Sequence, residues 1–274
     1  MELWAIKIGI VLGLIAVGSI LLQYQETWKR KLGVWFFIAT FGAIIWFLTN
    51  SGIATTAAIV SYFAFPIGQA FMASRRMRFS PERQLKPGIL NIQEFEEVHF
   101  ITQEFKQENF SVEGDHWLKP SAVDRGFRLL KHREKPLYGA VAVAQQSSIN
   151  LVYTMLGSRA TDGSVWITWD YPLPFGFKMP PHCCFYRCLE ADSIKELIAQ
   201  HEAFTEINKV KVGSEDEQKK DVKEFFDEIF KSTMDYNLKI GMLKYTNSEN
   251  GEVLYSWKGT AFITWQVLRE MLIG

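Results

Sequence analysis

Residues 180–188 read Pro-Pro-His-Cys-Cys-Phe-Tyr-Arg-Cys and hold all three cysteines of the chain beside one of its five histidines. Thiolate and imidazole are zinc ligands, and together they form a nucleophile–base pair. On an extended strand His182, Cys184 and Cys188 share one face, while Cys183 turns to the other. At about 3.3 Å per residue His182 and Cys188 stand about 20 Å apart, whereas zinc holds its ligands at about 2.0–2.3 Å. One strand cannot supply all three to one ion, and no C-x-x-C or H-E-x-x-H elsewhere completes a set. The expectation is core packing of the cysteines, with no metal and no other cofactor.

Nucleophilic use of a cysteine requires a basic partner that lowers its pKa. His182 adjoins the cysteines in sequence. His201 falls on the apolar stripe of a helix with Ile194, Leu197, Ile198 and Phe204, where a hydrogen-bonded core histidine is expected. An active site, if the chain has one, is therefore placed near His182, Cys184 and His201. His99 and His132 lie in charged surroundings and are expected at the surface. Glu113-Gly-Asp-His116 reads as a solvated turn. No phosphate-cradling G-x-x-x-x-G-K-[ST] or G-x-G-x-x-G occurs, and neither does G-x-S-x-G. The inventory leans away from an enzyme.

The elements that must position these residues fall into two unlike parts. Residues 1–73 carry only six charges, Glu2, Lys7, Glu26, Lys29, Arg30 and Lys31. They hold three apolar segments, expected as transmembrane helices at about 4–23, 33–49 and 52–73, since a span needs roughly 20 apolar residues. Lys7 is near enough to a helix end to snorkel. Gly9 and Gly13, with Ala39 and Ala43, are small residues that permit close helix approach, among the spans or in self-association. Pro66 is expected to kink the third helix near its end. The spans contain no acidic residue and no histidine, so they read as an anchor, not a conduit. A cleaved signal peptide is the weaker reading of the first segment, because further apolar segments follow it.

Basic residues set orientation. Trp28-Lys-Arg-Lys31 lies between the first and second segments, and Ser74-Arg-Arg-Met-Arg78 follows the third. Three spans put both clusters on one side, with the N-terminus outside and everything after the third span in the cytoplasm. The cluster Arg75, Arg76 and Arg78 also suits anionic lipid head groups. The chain divides into a transmembrane region at 1–78, a basic linker at 79–88 and a cytoplasmic domain at 89–274.

The net charge of zero hides an uneven distribution, and the residues after the basic junction are acidic overall. That argues against nucleic acid, which needs clustered Lys and Arg. Helical periodicity marks 91–107, 193–207, 214–238 and 260–273, with capping-box register at Ser193/Glu196 and Ser214/Glu217. Segments 138–145, 148–156, 164–171 and 182–190 read as strands, and Asp162-Gly163 and Asn250-Gly251 as hairpin turns. Residues 121–136 are ambiguous, with Ser121 available as a helix cap and Gly126 against one. Val165, Ile167, Trp169 and Tyr171 share a face, so a sheet buried on one side is expected. The fold class is α+β: a three-helix transmembrane region followed by a soluble domain with an antiparallel sheet covered by helices. The functional expectation is a multi-pass membrane-anchored protein whose cytoplasmic domain binds a protein partner or small ligand. A membrane-tethered enzyme and a subunit of a membrane complex are the alternatives.

Overall fold

The computed structural model describes residues 2–23, 27–90, 95–118, 124–146, 149–172, 176–213, 221–246 and 251–273. The chain forms two compact units, one of residues 1–74 with 260–274 and one of residues 75–259.

In the first unit, α1 (Glu2–Leu22), α2 (Thr27–Thr49) and α3 (Gly52–Arg76) are each long and apolar enough to cross a membrane. Their large apolar side chains face outward; Ile8, Leu12, Trp35 and Phe65 are all exposed. Such a surface is compatible with a lipid environment. The helix contacts are made by glycines other than those singled out from the sequence. Gly18 and Gly33 bring α1 and α2 together so closely that a Cβ on Gly33 would lie 3.0 Å from the Gly18 carbonyl oxygen, and Gly42 meets Ile59 of α3. Gly9 and Gly13 have open space beside them. The α1 and α2 helices run antiparallel: Lys7 Nζ, near the start of α1, donates 3.5 Å to the Phe47 carbonyl near the end of α2. Polar side chains within the helices turn back onto their own backbone, as Thr40 Oγ1 does onto the Phe36 carbonyl at 2.7 Å.

The second unit is built on two sheets. Strands β1 (Arg78–Phe79), β9 (Leu243–Tyr245) and β10 (Val253–Tyr255) form a small antiparallel sheet in the order β1-β10-β9. Of the turn joining β9 and β10, Asn250 lies outside the described residues, and Gly251 adopts φ +61°. The main sheet has seven strands in chain order: β2 (Lys86–Pro87), β3 (Phe110–Leu118), β4 (Asp124–His132), β5 (Tyr138–Gln146), β6 (Ile149–Arg159), β7 (Val165–Trp169) and β8 (Cys183–Arg187). All neighbours are antiparallel except β7 and β8, which are parallel, so the sheet is mixed. The ambiguous segment at 121–136 contributes β4; Ser121 lies outside the described residues.

Helices cover both faces, and this corrects the expectation of a sheet buried on one side. On one face α6 (Val222–Lys239) sets Val222, Phe225, Phe226 and Ile229 against Phe127, Tyr138, Met155 and Ile167. On the other, α4 (Glu96–Gln107) and α5 (Ile194–Ile207) bring Phe95, Val98, Phe105, Leu197 and Ile198 onto Leu130, Val141, Val143 and Leu156. Central strands therefore read as nearly continuous apolar runs. In β5 the small side chains Ala140 and Ala142 meet α6 while Val141 and Val143 meet the opposite layer. Gly139 and Gly157 leave room for aromatic rings; a Cβ there would come within 2.9 Å of Phe105 and 2.6 Å of Phe225 respectively.

Local signals explain the helix ends. Ser193 Oγ accepts from Glu196 N at 3.3 Å, while the Glu196 carboxylate returns to Asp192 N at 3.1 Å. The described cap of α6 is Asp221, which accepts from Lys223 N; Ser214 and Glu217 lie outside the described residues. Gly241, at φ +73°, ends α6 in a Schellman arrangement, with Met242 N on the Asn237 carbonyl and Gly241 N on that of Leu238. The last helix, α7, spans Trp257–Ile273.

Candidate functional site

The three residues expected near an active site fall just before β8, on β8 and on α5. His182 is exposed just before β8. Cys183 packs among the apolar residues under α6, and burial pushes its thiol up to about 11. Cys184 is half-buried on the opposite face, its thiol also raised by burial and by the Asp162 carboxylate. Cys188 joins the core beneath α4 and α5. A raised thiol pKa is the reverse of what a nucleophile requires. Among the described residues no group of three His, Cys, Asp or Glu side chains converges as a metal site.

His201 sits between α5 and the sheet, 2% exposed. Its Nε2 lies 3.0 Å from Ser158 Oγ on β6 and its Nδ1 2.9 Å from Thr168 Oγ1 on β7. A serine hydroxyl on an imidazole is the contact that activates a nucleophile. Here the orienting group is a hydroxyl instead of a carboxylate, and Ser158 and Thr168 are 1% and 0% exposed. Burial drives the imidazole down to about 4, so it is neutral at physiological pH. The arrangement satisfies polar atoms in a dry interface. No hydrogen bond joins His201 to Cys184 or His182 among the described residues.

Two further sequence expectations are corrected. Glu113–His116 is no solvated turn but part of β3, at a bulge between Val112 and Gly114. There Asp115 takes the Arg128 guanidinium in a two-pronged pair, both contacts 2.8 Å, with side chains 15% and 10% exposed. His132 is buried, not exposed: its Nδ1 accepts from Glu134 N at 3.1 Å and Lys135 N at 3.0 Å. Those bonds need an unprotonated Nδ1, consistent with a pKa lowered by burial and by Lys135.

Two arginines border a cavity elsewhere in the second unit. Residues 79–88, expected as a linker, bury Phe79, Arg83 and Leu85, and Leu85 N donates 2.6 Å to Asp227 on α6. Arg83 is 6% exposed, with its guanidinium over the rings of Phe177 at 5.1 Å and Phe79 at 5.7 Å. It borders a cavity of about 20 Å³ on the α6 side of the main sheet, with Arg125, Tyr153, Trp169, Phe185 and Thr233. Space of this order admits one water-sized group. Neither guanidinium has a carboxylate or other hydrogen-bond acceptor among the described residues. Asp170 acts on Tyr153 but is itself occupied by Thr154 N and Oγ1. Among the described residues Thr233 Oγ1 is buried with no partner.

The electrostatics agree with that geometry. Burial first, then repulsion from Arg125, lowers Arg83 to about 10. Burial pushes Tyr153 up to about 12 and Tyr255 higher still, so both hydroxyls keep their protons as donors. Taking a guanidinium out of water costs several kcal/mol. A desolvated cation–π contact returns about 2 kcal/mol, and the second cation adds repulsion. Sequence reasoning missed this cavity because a Pro-flanked arginine in a charged stretch reads as solvent-exposed. Only Phe79, four residues before Arg83, hinted at an apolar resting place.

No family model matches this chain, and neither the curated proteins nor the solved structures contain a match to it.

Proposed function

We propose that this chain is a multi-pass membrane-anchored protein whose α+β domain serves as a binding module on the cytoplasmic side. The observation that carries this reading is the set of three long apolar helices whose outward faces are apolar. Their basic flanks, at 28–31 and at Arg75, Arg76 and Arg78, fall on one side of a three-span topology and favour the inside. Those arginines also suit contact with anionic lipid head groups. The domain supports binding more than catalysis: the Cys183 and Cys184 thiols are raised, its histidine–hydroxyl cluster is buried, and its buried arginine is unmatched among the described residues.

Two measurements test the reading. After alkaline extraction of membranes the protein is expected to stay with the lipid pellet, and release into the supernatant contradicts integral anchoring. Replacing the first 78 residues with one unrelated span is expected to preserve the domain's binding; loss of it would assign binding to the spans, as in a membrane-complex subunit.

A further inference from the structure

We propose that the cavity bordered by Arg83, Arg125, Tyr153 and Thr233 receives one oxygen of a phosphate-class ligand. Every lining group that carries charge is a cation, and the Thr233 hydroxyl is without a partner among the described residues. Arg83 is held there by more than chance packing: Leu85, two residues on, is 2% exposed and tied by its backbone to Asp227. The lower wall is apolar, from Met155, Trp169, Phe185 and Ile229, so water competes poorly for the guanidinium forks. Paired planar guanidinia match the geometry of phosphate oxygens. The volume accepts about one oxygen-sized group, so a single oxygen of the anion enters and its remaining atoms stay outside. Thr233 explains the choice of a hydroxyl where α6 faces the cavity: its Oγ1 makes none of the usual bonds to its own helix backbone. An incoming oxygen supplies an acceptor that neither Arg83 nor Thr233 finds among the described residues.

This inference rests on the domain being a binding module, but not on which side of the membrane it faces. The same chemistry can come from free phosphate or from a phospholipid head group, and the test has an arm for each. The full chain, purified in uncharged detergent, is titrated calorimetrically with inorganic phosphate and, separately, with short-chain phosphatidic acid, ionic strength being held with chloride. Saturable binding of either probe at one site per chain is expected. Arg125→Gln, at a half-buried position, is expected to weaken it about tenfold or more, the loss of one charge-assisted hydrogen bond. Thr233→Val is expected to weaken it by less, and Cys184→Ser not at all. Phosphate binding weakened by Arg125→Gln assigns a free oxyanion; phosphatidic acid binding alone, weakened likewise, assigns a lipid head. Absence of saturable binding by either probe to the folded wild type overturns the proposal, and so does binding that Arg125→Gln leaves unchanged while circular dichroism shows a native fold. Such a failure removes this ligand class and leaves the anchored module standing, because anchoring is read by extraction and not by titration.

Discussion

His201 is the titratable group whose surroundings make the clearest demand on pH. Its folded pKa of about 4 lies below the ordinary 6.5, so between those values the unfolded chain binds more protons than the folded one. Its contribution to stability is complete above about pH 6.5 and is lost as pH falls toward 4. The difference corresponds to about 3 kcal/mol. Urea unfolding of the full chain followed from pH 7 to pH 4 should show that decline, and His201→Gln should flatten it; an equal slope in the variant would place the titrating group elsewhere. Cys183 makes a second residue-level prediction. With its thiol raised to about 11 and its side chain in the core, it should resist alkylation at neutral pH until urea exposes it. Rapid native labelling at Cys183 would contradict the packing described. The sequence made His201 legible as a core histidine, because helical spacing places it among apolar residues. Its partners Ser158 and Thr168 were not legible, since they come from two strands whose register no local pattern encodes. His132 was misjudged for a related reason: charged neighbours say nothing about a ring turned inward to accept two backbone N–H groups.

Pairing between elements explains which single changes should cost most. Asp115 and Arg128 join β3 to β4 with both side chains largely buried. Removing one partner leaves the other charge unmatched, so Asp115→Ala is expected to cost about 3–5 kcal/mol. Lys135 and Glu202 form a pair of similar length, 2.6 Å, but each is about half exposed. Glu202→Ala is expected to change stability by under about 1 kcal/mol. Denaturant midpoints of the two variants measure the contrast, and equal costs would contradict it. Gly157→Val should also destabilise, by about 1–3 kcal/mol, because its side chain would enter the space of Phe225. At this scale the sequence was informative where periodicity was strong: helices corresponding to α4, α5 and α6, and strands at 138–145, 148–156 and 164–171 corresponding to β5, β6 and β7, were read from it. It was silent on β3 and β4, whose charged and glycine-containing runs resemble loops until they are paired. It also gave no warning that β8 would join β7 in parallel, since hairpin signals describe only neighbours linked by short turns.

Across the whole molecule the composition separates what faces lipid from what faces water more plainly than any motif. Three long helices with exposed apolar faces, and only six charges in 73 residues, are compatible with a bilayer. The glycines that join α1 to α2 were not the ones singled out beforehand, because spacing alone cannot tell an inward face from an outward one when both are apolar. The Arg83 cavity was invisible for the opposite reason: one of its cations comes from a segment that looks solvated and the other from a strand that looked ambiguous. The proposed cytoplasmic placement of the domain rests on one premise, that lysine and arginine on the flanks hold it inside. The most direct measurement fuses two reporters in parallel after Gly274, one active only in the cytoplasm and one active only outside. The proposed topology predicts activity of the first and silence of the second. Activity of the external reporter alone would contradict it.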